Sequence, residues 1–213
     1  IATAGYTRTT DRRPDVVIFD RLDTTPADIA TARLEGATVV CLEDLGAGSE
    51  HADLVVNELY QGSPHPHVLS GPKYAVLRPE FAAAPPYRTN HAADRVLVTF
   101  GGTDPAGMVG RVTGILADTC EAFTVKAGDC IAEAILAADL VVTSCGRTVH
   151  EAAALGVPVV AIAVNERESR HYPCPGSIRM GLAQTVSDDR IRTTVTNVLC
   201  DPHLREEMSE TLR

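Results

Sequence analysis

Short apolar runs alternate with helix-like segments along both halves of the chain. Runs that are apolar on both faces, separated by helical segments, are typical of parallel α/β sheets. The predicted strands are 15–20, 38–42, 53–57, 95–100, 122–125, 140–143, 157–163 and 183–186. The clearest predicted helices are 24–36, 189–200 and 202–212. The pattern therefore predicts an α/β protein with two parallel sheets.

A stretch rich in Ala and Pro separates the two α/β patterns. Residues 82–90 have the composition of an exposed linker. We expect an N-terminal Rossmann-like domain over 1–88, incomplete at its start, and a C-terminal domain over 89–213. Ligands of such sheets bind beyond the carboxyl ends of the strands, so we expect a ligand cleft between the domains. The connection over 125–130 is short for a parallel crossover, which suggests that residues are missing there.

Composition narrows the class of partner. The net charge is -9 without a long basic run, which argues against nucleic acid or an anionic membrane as a partner. No apolar span reaches the ~20 residues of a membrane helix. The six cysteines form no CxxC pair, which predicts reduced thiols in a cytoplasmic protein and no zinc site. Most of the seven histidines are predicted to be surface residues. We predict neither a metal nor a cofactor, and the sequence leaves the oligomeric state open.

The segment after the predicted strand 140–143 combines small residues, hydroxyls and a helix start. Its candidate binding residues are Ser144, Gly146, Arg147 and Thr148. Backbone N–H groups at a helix N-terminus suit phosphate oxygens, so a phosphorylated ligand such as a nucleotide-sugar is expected. Glu151 follows Thr148 by three residues, the spacing of a capping box. That spacing slightly favours a cap, and the alternative is a carboxylate that binds ribose hydroxyls.

Two further loops of the second half follow predicted strands. Gly101 and Gly102, with Thr103, allow a backbone to approach a ligand, although an ordinary turn capped by Asp104 would look the same. Asn165 and Glu168 follow the strand 157–163, where polar side chains could meet a sugar or only solvent.

In the first half, Asp20 ends the predicted strand 15–20. Its carboxylate could act as a general base or only cap a helix.

Six segments occur in an order that resembles one known family. They are 53–57 (DLVVN), 69–81 (LSGPKYAVLRPEF), 98–105 (VTFGGTDP), 138–140 (ADL), 146–151 (GRTVHE) and 165–169 (NERES). Together they resemble the UDP-sugar hydrolases of the pseudaminic acid pathway, which hydrolyse UDP-2,4-diacetamido-2,4,6-trideoxy-altropyranose to free sugar and UDP. The resemblance covers about residues 15–186. It implies a GT-B fold, similar to the transferase that adds GlcNAc to the lipid-linked peptidoglycan precursor.

The resemblance also implies roles for individual residues. Gly101 and Gly102 would approach the phosphates, the loop 144–148 would cradle them, and Glu151 would bind the ribose of UDP. The segment 165–169 matches the family's sugar-facing Asn-Gln-Glu-Ser segment, which implies that Asn165 and Glu168 face the sugar.

The chain departs from the family at two places. Nothing before Asp15 matches the family's first strand and Gly-rich loop with its catalytic His, so the match identifies no catalytic base. Residues 20–23 (DRLD) replace the frequent Asp-His-Tyr, which resembles a subgroup labelled polysaccharide biosynthesis proteins. We predict a nucleotide-sugar hydrolase of surface polysaccharide or nonulosonic acid biosynthesis. A GT-B glycosyltransferase with a UDP-sugar donor and a non-catalytic nucleotide-sugar-binding protein are the alternatives.

Overall fold

The computed structural model describes residues 13–34, 36–61, 65–85, 87–102, 104–126 and 128–212. The chain divides into two compact units, Ile1–Tyr74 and Ala75–Arg213. This division precedes the predicted boundary at 88/89, because Phe81 and Tyr87 are buried in the core of the C-terminal unit.

The N-terminal unit contains a four-stranded parallel sheet in the order β1-β2-β3-β4. Its elements are β1 (Val16–Asp20), α1 (Pro26–Leu34), β2 (Thr38–Leu42), a 3₁₀ turn (Ala47–His51), β3 (Leu54–Asn57), β4 (Val68–Ser70) and a 3₁₀ turn (Pro72–Tyr74). The first three strands were predicted within one residue. The sequence analysis missed β4, because a three-residue, half-buried strand leaves little apolar signal.

One face of the N-terminal sheet carries the core of this unit. Ile29 of α1 packs with Val39, Cys41 and Val55 of the strands. Residues of β1 that point to the opposite face are exposed, with Val16 at 51% and Ile18 at 61%.

The C-terminal unit contains a five-stranded parallel sheet in the order β6-β5-β7-β8-β9. Its strands are β5 (Arg95–Thr99), β6 (Glu121–Phe123), β7 (Leu140–Thr143), β8 (Val159–Ala163) and β9 (Ile178–Leu182). Its helices are α2 (Pro79–Ala83), α3 (Met108–Leu116), α4 (Ile131–Leu136), α5 (Arg147–Leu155), α6 (Glu166–Ser169), α7 (Asp188–Cys200) and α8 (Pro202–Leu212). The prediction of two parallel α/β sheets is therefore confirmed.

Apolar cores cover both faces of the C-terminal sheet. Alternate strand residues such as Val142 and Ile162 pack with α3, α7 and α8. Their neighbours Val141 and Ala161 pack with α2, α4 and α5. A parallel strand buried on both faces reads as a continuous apolar run, which is why β7 and β8 were visible in the sequence.

Two details of the predicted C-terminal pattern were wrong. Residues 183–186 form a turn, in which the Val186 N–H donates to the Leu182 carbonyl, and the strand is β9 just before it. An arginine and a glycine in β9 mask its apolar character. Strand β6 also ends two residues before the predicted end. The connection from β6 to β7 therefore spans 124–139 and includes α4. It is long enough for a crossover between parallel strands of one sheet, so its length gives no reason to infer missing residues.

Candidate functional site

Three neighbouring strands bring the candidate binding loops of the C-terminal unit to one edge. Thr99, near the end of β5, pairs with Thr143 of β7, and Thr143 pairs with Ala161 of β8. Because all three strands are parallel, the loops that follow them leave the same edge of the sheet. These loops, with the first residues of the helices that follow them, carry Gly101, Gly102, Ser144, Gly146, Arg147, Thr148, Asn165 and Glu168. Thr103 lies outside the described residues.

Helix α5 begins directly after the loop that follows β7. Its N-cap is Gly146, and within this fully described helix no side chain caps the N-terminus and no acidic residue occupies the first turn. The first helical residue is the exposed Arg147. The unpaired N–H groups at a helix N-terminus carry a partial positive charge. The N-terminus of α5 is therefore a positively polarised surface.

The other long helices of this unit have conventional N-termini. Asp104 accepts from the N–H groups of Met108 and Val109 at the start of α3, both at 2.9 Å. Ser187 caps α7, whose first turn holds Asp188 and Asp189. The Asp201 carboxylate accepts from the Leu204 N–H in α8 at 3.0 Å. The missing carboxylate at α5 thus distinguishes this helix from its neighbours.

The loop after β5 is open to an approaching ligand. Gly101 has φ +78°, a conformation that favours glycine, and a Cβ at Gly101 or Gly102 would meet no atom within 4 Å. Asp104 is not the N-cap of α3, which begins at Met108 with Gly107 as N-cap. Asp104 nevertheless serves this helix, because its side chain reaches forward to the first turn.

Glu151 lies inside α5 and forms no capping box. Gly146 is the N-cap, so Thr148 is already the second helical residue and its spacing to Glu151 carries no cap. Oε1 of Glu151 lies 3.4 Å from Nη2 of Arg78, and the Glu151 side chain is 13% exposed. The capping interpretation is therefore wrong.

The loop after β8 is partly organised by its own side chains. Oδ1 of Asn165 caps the short helix α6 by accepting from the Glu168 N–H at 2.9 Å. Oε2 of Glu168 accepts in turn from the Val164 N–H at 3.1 Å. These bonds fix both side chains at the sheet edge, where Asn165 is exposed.

His171 is a buried residue of this edge that the sequence analysis missed. Its side chain is 6% exposed, and its Nδ1 lies 2.7 Å from the Cys145 carbonyl, which can only accept. Burial lowers the pKa of His171, and the hydrogen bond to Cys145 opposes this shift. His171 thus joins the segment after β8 to the loop before α5. The sequence held no signal for it, because a lone histidine among polar residues reads as a surface residue.

Arg179 of β9 reinforces this connection. Its guanidinium donates to the carbonyls of His171 at 2.7 Å, Glu168 at 3.1 Å and Ser169 at 3.2 Å. Burial raises the pKa of the neighbouring Cys145 thiol, and Arg179 partly counteracts this shift.

Asp20 lies apart from these loops in the chain. It is the exposed last residue of β1 in the N-terminal unit. At the end of β2, by contrast, the Asp44 carboxylate is 1% exposed and accepts from Gly46 N–H at 2.8 Å and Thr24 N–H at 3.0 Å.

The remaining titratable groups provide no metal centre in the part of the chain that the structure describes, where no three His, Cys, Asp or Glu side chains cluster suitably. All six cysteines are free, and three of them are buried. Of the histidines, His150 is buried like His171, and the other five are exposed or half-exposed, as predicted for most of them. No helix among the described residues is long and apolar enough to cross a membrane.

Comparison with known proteins identifies the fold. No family model matches this chain. An uncharacterized protein of Methanocaldococcus jannaschii is 25% identical over 205 residues, an alignment that covers 75% of this chain. The chain spans only 42% of the length of that curated relative.

Several solved structures match this chain in fold. MurG of Acinetobacter baumannii matches with a TM-score of 0.65 at 15% identity, over 93% of this chain and 68% of that chain. The spinosyn rhamnosyltransferase SpnG, complexed with thymidine diphosphate, matches with a TM-score of 0.61 at 15% identity, over 94% and 70%. The spinosyn forosaminyltransferase SpnP matches with a TM-score of 0.61 at 16% identity, over 93% and 70%. The chain therefore has a GT-B-like fold built of two Rossmann-like units.

Proposed function

We propose that this protein is an enzyme that binds a nucleotide-sugar, specifically a UDP-sugar, and hydrolyses the bond between sugar and diphosphate. The observation that carries the proposal is the N-terminus of α5, which lies at the carboxyl edge of the sheet and lacks the acidic cap of its neighbours. The resemblance to the pseudaminic acid pathway hydrolases supplies the specific reaction. It also supplies the setting, which is surface polysaccharide or nonulosonic acid biosynthesis.

The diphosphate would lie at the start of α5. Backbone N–H groups of Gly146, Arg147 and Thr148, the Ser144 hydroxyl and the Arg147 guanidinium are the groups that would bind it. Gly101 and Gly102 would let the loop after β5 approach the phosphates from the neighbouring strand, as the open space around both positions permits. Thr103 is proposed as a further contact from the same loop.

Glu151 would bind the ribose. A carboxylate accepts two hydrogen bonds from neighbouring hydroxyls, and this one is neither consumed by a helix cap nor remote from the start of α5. The SpnG structure holds a thymidine diphosphate, whereas a carboxylate that binds both ribose hydroxyls would favour a ribonucleotide here.

The sugar would lie against the loop after β8, where Asn165 and Glu168 are the proposed catalytic residues. Asp20, the last residue of β1, is also proposed as a catalytic residue. Water would attack the anomeric carbon and a carboxylate would accept its proton. The bond between that carbon and the diphosphate oxygen would break, and UDP would leave. Backbone amides and the helix end would stabilise the charge that develops on the leaving diphosphate. No metal is needed for this mechanism.

Glycosyl transfer is the second candidate function. It is favoured by the structural neighbours SpnG and SpnP, which are sugar transferases by name. Both reactions use the same donor site and differ in whether water or an acceptor hydroxyl attacks. A non-catalytic nucleotide-sugar-binding protein is the third candidate. The free cysteines support a cytoplasmic location, which we propose for all three.

The experiment is an incubation of the full-length protein with UDP-sugars and no acceptor. The panel contains UDP-2,4-diacetamido-2,4,6-trideoxy-altropyranose, UDP-N-acetylglucosamine and UDP-glucose. We expect release of free sugar and UDP in equal amounts from the first. Turnover only after an acceptor is added would establish a transferase, and binding of UDP without any turnover would establish a binding protein.

Asn165 separates the proposed catalytic role from the observed helix cap. Asn165→Asp keeps the oxygen that caps α6 but removes the amide donor, whereas Asn165→Ala removes both. We expect both variants to lose at least about tenfold in turnover, with near-normal affinity for UDP. Wild-type turnover in Asn165→Asp would show that Asn165 is only a cap.

A further inference from the structure

The Glu151 carboxylate has a partner from a different element of the C-terminal unit. Nη2 of Arg78 lies 3.4 Å from Oε1 of Glu151. Arg78 is half-exposed, whereas Glu151 is largely buried. The contact engages one carboxylate oxygen, and the lone pairs of the other can still accept hydrogen bonds from ligand hydroxyls.

Arg78 is itself held in place relative to α5. It is the N-cap residue of α2 and precedes Pro79 at the start of that helix, which restricts the backbone. Its guanidinium carbon lies 5.5 Å from the centroid of the Phe81 ring, and Nη1 lies 3.3 Å from Oε1 of Glu80. Phe81 is buried in the core that also contains Val149 of α5. The guanidinium is therefore fixed over the side of α5 that carries Glu151.

We propose that Arg78 is a positioning residue that orients Glu151 toward the ribose and thereby sets a preference for ribonucleotides over 2′-deoxyribonucleotides. This inference rests on the proposed function, in which Glu151 binds the ribose. A ribose presents neighbouring 2′- and 3′-hydroxyls, and a carboxylate accepts from both only in a restricted orientation. The planar guanidinium contacts Glu80 through Nη1 and Glu151 through Nη2, a geometry that the single ammonium group of a lysine cannot reproduce.

A simple surface ion pair would give a different result. Exposed pairs contribute little to stability, and a pair without a role in recognition would leave nucleotide discrimination unchanged. If Arg78 instead masked Glu151 from the ligand, removal of Arg78 would increase the affinity for the nucleotide. Discrimination between two nucleotides is therefore the informative measurement.

The experiment is calorimetric titration of the full-length protein with UDP and with 2′-deoxy-UDP. We expect the wild type to bind UDP at least about tenfold more tightly, a difference of about 1.4 kcal/mol. Arg78→Ala should reduce this ratio to near one, Arg78→Lys should restore it only in part, and Glu151→Gln should abolish it. In the double variant Arg78→Ala/Glu151→Gln the loss should not increase further, because both changes remove one interaction.

Arg192→Ala is the matched control, because it removes an exposed guanidinium of α7 that does not contact Glu151 and should leave the ratio unchanged. The inference is overturned if Arg78→Ala keeps the wild-type ratio, weakens both nucleotides equally or binds UDP more tightly. A wild type that binds both nucleotides equally overturns the inference and the role of Glu151 but leaves diphosphate binding standing. A wild type that binds neither nucleotide overturns the proposed function as well.

Discussion

The strands β1 and β8 have similar sequences but different surroundings. Both are runs of aliphatic residues, VVIFD in β1 and VVAIA in β8. Every residue of β8 is buried, whereas Val16 and Ile18 of β1 are largely exposed. The apolar pattern thus identified both strands, but it carried no information about which faces are covered. Two covered faces give the C-terminal loops a better packed support than β1 has in the N-terminal unit.

The residues that follow the strands also differ between the two units, in how far the fold itself occupies their polar groups. Asp44, after β2, is buried, and its carboxylate binds the backbone of Thr24 and Gly46. Gly101 and Gly102, after β5, face open space, and the N-terminus of α5 has no acidic partner in its first turn. A polar residue at a strand end is therefore evidence for a binding site only after its partners in the fold are known.

The contrast between β8 and β1 predicts the largest loss of stability for a substitution at the centre of β8. Ile162→Ala removes a fully buried side chain and should lower the free energy of unfolding by about 3 kcal/mol. Ile18→Ala, at 61% exposure, should cost less than about 1 kcal/mol. Urea denaturation followed by circular dichroism measures both. Equal losses would show that the exposed face of β1 is covered in solution.

Arg205 should show the next largest effect. This fully buried arginine of α8 donates to the carbonyls of Val198 at 2.8 Å and Asn90 at 2.6 Å, and also to those of Leu199 and His91. Arg205→Met keeps the volume but leaves these carbonyls without the donor, so we expect a loss of about 2–3 kcal/mol. The matched control is Arg192→Met on the exposed side of α7, which should change the urea midpoint little.

The pH dependence of stability should depend on Cys41 in the N-terminal unit. Burial and the neighbouring Asp44 raise the pKa of the Cys41 thiol to about 12. Above the ordinary thiol value the unfolded chain loses this proton while the folded one keeps it. Stability contributed by the protonated thiol is thus present below about pH 8.5 and falls by about 1.4 kcal/mol per unit as the pH rises toward 12.

Cys41→Ala removes this titration, so unfolding free energies measured between pH 8 and pH 10.5 should decline less steeply than in the wild type. Cys200→Ala, at an exposed cysteine, is the control and should keep the wild-type slope. An unchanged slope in Cys41→Ala would mean that the thiol is solvated in the folded protein.

Much of the fold could be predicted from the sequence, because long apolar runs such as 157–163 have few alternatives to a buried strand. The short strand β4 and the Arg-containing β9 could not, since tertiary pairing rather than local pattern creates them. The first residue of a helix was harder to predict than a strand. Asp104 has a left-handed backbone conformation with φ +35°, and its carboxylate accepts from the Met108 N–H, so α3 begins several residues after Asp104.

Part of the candidate site could be predicted from the sequence. Strand order brings together the loops after β5, β7 and β8, so residues chosen for their place after a strand lie on one edge. The partners of Glu151 and the buried His171 involve residues distant in sequence or burial set by the tertiary fold. No local spacing encodes such contacts.

The most direct test of the central claim is a ¹H–¹⁵N correlation spectrum of the full-length protein titrated with UDP. Binding of the diphosphate at the carboxyl edge of the C-terminal sheet should shift the amide signals of Gly101, Gly102, Gly146, Arg147 and Thr148 and leave those of β1 and α1 unchanged. Shifts confined to residues of the N-terminal unit, or no shift at millimolar UDP, would contradict the proposed nucleotide site.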